Sequence, residues 1–210
     1  EDKDINFVSL AKYVKAKNQP KEKGKGLVKD RIAVIYAQGG IVMGDGNYDE
    51  IGSERISKAI RKARKDDKVK AIVLRVNSGG GSALASDIIL REMELAKKIK
   101  PVIASMGDVA ASGGYYISCM ADTIVASSIT ITGSIGVFGF FMNTQNFFKN
   151  KLGITFDGVK SNPHADLGDP TRPLSDFEKK AIQKEIIRIY DVFVSHVSAG
   201  RGLTKAQVDS

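Results

Sequence analysis

One segment limits the fold more than any other. Lys70-Ala-Ile-Val-Leu-Arg-Val76 is a nearly continuous apolar run, bounded by turn-forming residues. Such a run reads as a strand buried on both faces, the kind that occupies the middle of a parallel sheet. Parallel neighbours need crossover connections, usually helical, and the flanking sequence supplies them. Arg31–Ala37 has a strand pattern ended by Gly39-Gly40, and Ser53 opens a helix with Ile56, Ile60 and Ala63 at helical spacing. Residues 82–99 read as a helix, 101–105 as a strand, 112–121 as a helix and 123–126 as a strand. That alternation predicts an α/β fold with a mostly parallel sheet. The best-marked helix opens at Ser175 with Glu178 three residues on, a capping box. Its stripe Ile182, Ile186, Ile189, Phe193 and Val197 is expected to face the core, with Gly200 as its stop.

Both ends of the chain read differently. Phe7, Leu10, Ala11 and Val14 form a short apolar-periodic piece, and Asn18 to Gly26 is a polar linker by composition. Thr204 caps a helix of which barely one turn remains before Ser210, so the domain at 31–210 is expected to be truncated at its C-terminus. No apolar run approaches the roughly 18 to 20 residues of a spanning helix, so any membrane anchor is expected outside this chain. A single cysteine, Cys119, rules out an internal disulfide and a cysteine zinc cluster, and reads as a small buried apolar residue. With only two histidines, His164 and His196, no metal centre is expected. The formal net charge of +8 comes from the lysine-rich start and from Arg55–Lys70. No aromatic residues interleave with those charges to stack bases, so nucleic acid is not an expected partner.

Chemistry concentrates in two glycine-rich turns. Asn77-Ser-Gly-Gly-Gly-Ser82 follows one strand, and Asp108-Val-Ala-Ala-Ser-Gly-Gly-Tyr115 follows the next. Ligand sites in open parallel sheets gather at the carboxyl ends of the strands, so both turns belong on one rim. In the second turn, small residues flank the Ser112 hydroxyl where a helix begins. Unpaired N–H groups and the helix field favour negative charge at such a point. These are parts for acyl transfer, with Ser112 as nucleophile and the N–H groups of Gly81 and Gly113 holding the oxyanion. A serine at a helix start can equally be nothing more than an N-cap. The first turn lacks the Lys-Ser/Thr ending of a phosphate-binding loop.

Leu74–Ser82, Ser105–Ser118 and Thr132–Phe138, in that order and spacing, resemble the signal peptide peptidase (protease IV) family. The resemblance covers about Ile32 to Ser210. It implies a crotonase-like (Clp protease-like) α/β spiral of mostly parallel strands flanked by helices. It also implies a Ser–Lys dyad with Ser112 as nucleophile and Gly81 and Gly113 as oxyanion donors. Gly79 stands where the family usually has proline. Alignment on Asp166 and Arg172 puts Ala165 at the position of the catalytic lysine, and alanine cannot accept a proton. Double-length members place the serine in the C-terminal half and the lysine in the N-terminal half. The resemblance therefore makes this chain a C-terminal half, residues 1–30 the connection between halves, and the N-terminal half a required partner. Lys160 and His164 are the other bases within reach in sequence, while Asp166 and Arg172 are expected to pin their loop. Apolar residues near the serine, chiefly Val137, Phe138 and Gly139, are expected to line a groove for hydrophobic peptides such as released signal peptides. The family further implies a homo-oligomer on the periplasmic face of a membrane, without cofactor. Two rival readings stand beside it: a crotonase-like enzyme acting on acyl-CoA, and a non-catalytic assembly half.

Overall fold

The computed structural model describes residues 30–209. The apolar piece at Phe7–Val14 and the linker read at residues 18–26 lie outside the described residues. Among the described residues there are seven strands: β1 (Arg31–Gln38), β2 (Gly40–Val42), β3 (Glu50–Gly52), β4 (Val69–Ser78), β5 (Val102–Ala111), β6 (Thr123–Val125) and β7 (Ile131–Gly133). The main sheet has the order β1-β4-β5-β6, with β7 pairing further along β5, and every pairing is parallel. β2 and β3 form a separate parallel pair. This is the expected α/β architecture.

Helices α1 (Ser53–Lys65) and α2 (Ala83–Lys97) cover one face of the sheet. Ile56, Ile60, Ile89 and Met93 of these helices meet Ile35, Ile72, Leu74 and Val76 in the core. The two helices are also clamped by charge. Glu92, buried on α2, accepts from Arg61 Nη2 at 2.6 Å and Arg64 Nη2 at 3.3 Å on α1. Although burial works against its charge, the two guanidiniums hold its carboxyl below the usual range.

The central run departs from its expected double burial. Burial alternates along β4, with Ile72, Leu74 and Val76 inward and Arg75 exposed. Among the described residues the opposite sheet face carries no helix layer, and Ile32, Val34 and Tyr36 of β1 are exposed on it.

Two further elements differ from their sequence patterns. β5 does not stop at Ser105 but continues to Ala111, because Val109–Ala111 pair with Ile131–Gly133 of β7. The expected helix 112–121 is a single turn, α3 (Gly113–Tyr116), followed by turns. After α4 (Gln145–Phe147) and a wider π-turn at Phe148–Leu152 comes the long α5 (Asp176–Arg201), then α6 (Lys205–Asp209). The α5 capping box forms in both directions: Glu178 N–H donates to Ser175 Oγ, and Ser175 N–H to Glu178 Oε2. Its stop is Gly202, in the left-handed region at φ 66°, rather than Gly200.

Candidate active site

The two glycine turns meet at one corner. β4 ends in Ser78, whose Oγ donates to the Gly39 carbonyl (2.7 Å) and accepts from Gly80 N–H (3.1 Å). The first turn is thereby held against β1. The Gly80 carbonyl accepts from Ile41 N–H at 2.9 Å, which ties the turn to β2 as well. Gly80 lies directly against the second turn: a Cβ there would stand 2.7 Å from Gly113 N and 2.9 Å from Ser112 Cβ. Its φ of 103° is a second reason for glycine.

Ser112 links β5 to α3 with φ 51° and ψ −120°. Among the described residues only Ser134 shares a positive φ without being glycine, and it directly follows Gly133. The Gly133 carbonyl accepts the Ser112 N–H at 2.9 Å, so the two strained residues flank a single junction. Strain of this kind costs about 1–3 kcal/mol and persists only where the surroundings enforce it. The Ser112 side chain makes no capping bond to α3, which removes the structural reason for a plain N-cap. Half-buried Ser112 instead borders a cleft of about 630 Å³.

Gly81 and Gly113 border the same cleft, and neither N–H makes a hydrogen bond among the described residues. Val137, Phe138 and Gly139 also line it, so the structure brings together every residue assigned to catalysis or to the groove. Opposite Ser112, the wall is the first half of α5, with Ile182, Ile186 and Ile189. These three are half-buried, whereas Val194 and Val197 further along the helix are buried. The stripe expected to face the core therefore divides between cleft and core. Sequence carries no signal for that division, because an apolar stripe looks the same in either place.

Tyr116 and Phe193 form the floor, their ring centroids 4.7 Å apart. Tyr116 Oη donates to Asp87 Oδ1 at 2.8 Å; burial first, and that bond second, raise its pKa. Cys119 lies fully buried behind this floor, as expected of a small apolar residue, and burial pushes its thiol up to about 12. His196 is not fully solvated, as its place outside the stripe would suggest. It packs edge-on against Tyr116, with centroids 5.5 Å apart.

The alternative bases do not line the cleft. Lys160 Nζ is paired with Asp166 at 2.6 Å, and His164 stacks on Phe177 with its Nδ1 3.5 Å from Glu178. Ala165 is exposed. Asp166 and Arg172 pin the loop as expected. Arg172 Nε and Nη2 donate to the two Asp166 oxygens, each at 2.7 Å, and Arg172 Nη2 reaches Glu178 Oε1 at 2.6 Å.

Comparison with known proteins places this corner in context. The family model described as "Peptidase family S49" matches residues 94–210. The chain is 48% identical over 183 residues to Protease 4 of Haemophilus influenzae, covering 87% of this chain and 29% of that protein. It is 41% identical over 205 residues to Protease 4 of Salmonella typhi, with coverages of 97% and 32%. It is 36% identical over 208 residues to the chloroplastic serine protease SPPA of Arabidopsis thaliana, with coverages of 97% and 30%. The chain thus spans about a third of the length of these relatives. Among solved structures, a ClpP1 mutant of Listeria monocytogenes overlays with a TM-score of 0.48 at 16% identity, covering 84% of this chain and 76% of that one.

Proposed function

The chain belongs to peptidase family S49, and from that premise we propose that it carries the nucleophile of a serine endopeptidase whose general base lies on other polypeptide. Ser112 Oγ attacks the scissile carbonyl, and the N–H groups of Gly81 and Gly113 receive the oxyanion. Donors fixed in this way are worth about 2.7–4 kcal/mol each to the transition state. The proton of Ser112 passes to a neutral lysine that desolvation has brought toward working pH. It then goes to the leaving amine, and water repeats the sequence on the acyl-enzyme.

The observation that carries this reading is the strained, uncapped Ser112 on an apolar cleft beside two unengaged N–H groups. The lysine comes from a homologous half of the longer protein, joined through residues 1–30. Lys160 does not fit that role, because it lies outside the cleft with its Nζ paired to Asp166 at 2.6 Å. The cleft volume falls within the roughly 300–1,000 Å³ of ligand sites, and its apolar walls suit hydrophobic peptide stretches such as released signal peptides. Among the described residues no helix is long and apolar enough to cross a membrane. Association with the periplasmic face of a membrane is part of the same proposal.

A fluorophosphonate probe tests the assignment. Full-length protein should be labelled at Ser112, and Ser112→Ala should lose labelling together with at least about a 10³-fold share of peptide hydrolysis. Residues 1–210 alone should hydrolyse peptides negligibly. Proteolysis that survives Ser112→Ala would exclude this serine, and robust cleavage by the isolated chain would exclude a base supplied from outside.

A further inference from the structure

A smaller lobe of about 280 Å³ adjoins the main cleft and shares Ala83, Tyr116, Glu185 and Ile189 with it. The main cleft is lined mainly by apolar side chains and glycines, with Ser82, Ser86, Ser112 and Glu185 as its polar members. The lobe adds Asp87 and Arg188 to the shared Glu185. Arg188 is already answered within its own helix, its Nε donating to Glu185 Oε1 and Oε2 at 3.0 and 2.9 Å. That leaves Asp87 in excess. It accepts the Tyr116 hydroxyl, a neutral donor, at 2.8 Å, and the nearest imidazole nitrogen of His196 stands 3.7 Å away. Asp87 is about half exposed, so a ligand can reach its carboxylate. Its hydrogen bond to Tyr116 ties the charge to a residue that lines both the lobe and the main cleft.

We infer that this lobe is a specificity subsite that selects a basic residue of the bound peptide, with Asp87 as its principal acceptor. The inference rests on the peptidase reading above and adds a charge requirement to an otherwise apolar groove. A lysine or arginine suits the site for two reasons. Its aliphatic stem can lie along Ile189 and Val192, and its cationic head reaches the carboxylates. A glutamate in the same place meets two like charges and one guanidinium already engaged.

The test uses full-length protein and fluorogenic peptides with an apolar core, in which each position in turn is Lys, Leu or Glu. At one position Lys should exceed Glu in kcat/KM by about 5- to 10-fold, less at high salt because the site is open to solvent. Asp87→Asn keeps an acceptor for Tyr116 and removes the charge, so that ratio should fall toward about 1 to 2. Asp87→Lys should reverse it. A wild-type enzyme indifferent to Lys against Glu at every position, or a preference unchanged in both variants, overturns the subsite. Loss of cleavage of all peptides in Ser112→Ala keeps the two claims separate: hydrolysis persisting there defeats the nucleophile, whereas hydrolysis without charge preference defeats only the lobe.

Discussion

Arg172 shows how much of a loop can hang on one side chain. Its guanidinium joins Asp166, in the loop, to Glu178, in the first turn of α5. Hydrogen bonds from Arg172, then from Lys160, hold the Asp166 carboxyl well below the usual carboxylate range. Those from Arg172, then from the Ser175 backbone, do the same for Glu178. Depressed carboxylates contribute stability that is present above their unfolded values of about 3.9 and 4.3, and lost as pH falls toward the folded values. Arg172→Ala should therefore lower the melting temperature most near pH 6 to 7. The gap to wild type should narrow below about pH 4; a gap independent of pH would show that Arg172 acts by packing alone. At this scale the meeting of the two glycine turns was legible. Ser112, Gly81 and Gly113 share one cleft, because a glycine turn after each of two adjacent parallel strands has only one rim to occupy, whereas Val137–Gly139 are placed there by the family resemblance. The division of α5 between cleft and core, and the part played by Asp87, were not legible, since both depend on contacts between segments remote in sequence.

Helix α5 illustrates the same limit for an element. Its start was readable because a capping box is local, formed between Ser175 and Glu178. Its end lies at Gly202, two residues past the glycine the pattern points to, because Gly200 serves another purpose. A Cβ at Gly200 would stand 2.2 Å from the Cys119 carbonyl oxygen and 2.9 Å from Met120 Sδ, so the glycine lets the helix lie against the turn after α3. Arg201 Nε donates to that same Cys119 carbonyl at 2.9 Å. An alanine in a helix interior normally gains about 1 kcal/mol over glycine. Here the obstacle is backbone and cannot swing aside, so overpacking of about 1–3 kcal/mol wins. Gly200→Ala should lower stability by about 1–2 kcal/mol in urea titration; a stabilised variant would show that the helix can shift outward. The second half of β5 carries no local strand signal for a related reason. Gly107 and Asp108 are poor strand formers, and the partner that completes the strand, β7, lies well downstream.

Across the whole molecule, apolar surface is distributed unevenly. Phe138 is 88% exposed and Phe140 78%, on the segment that leads from β7 past the cleft, and Ile187 of α5 is exposed as well. Large apolar side chains grouped in this way mark association surfaces. The full-length protein should sediment as an oligomer, and replacing Phe138 and Phe140 together by serine should weaken association by at least about 30-fold, the effect of losing one anchor worth about 2 kcal/mol. Unchanged sedimentation would leave Phe138 to the substrate groove alone and Phe140 without a part in association. The corner itself has a consequence for biosynthesis. Ser112 is held by the Gly133 carbonyl and Gly81 is bridged to Ile41, so the reactive geometry exists only once segments far apart in sequence have joined. Contacts of that kind form late in folding. On the proposed assignment of Ser112 as nucleophile, a ribosome-bound chain that has exposed Ser112 but not yet Gly133 holds an ordinary alcohol, and the peptidase is armed only when its last contacts close.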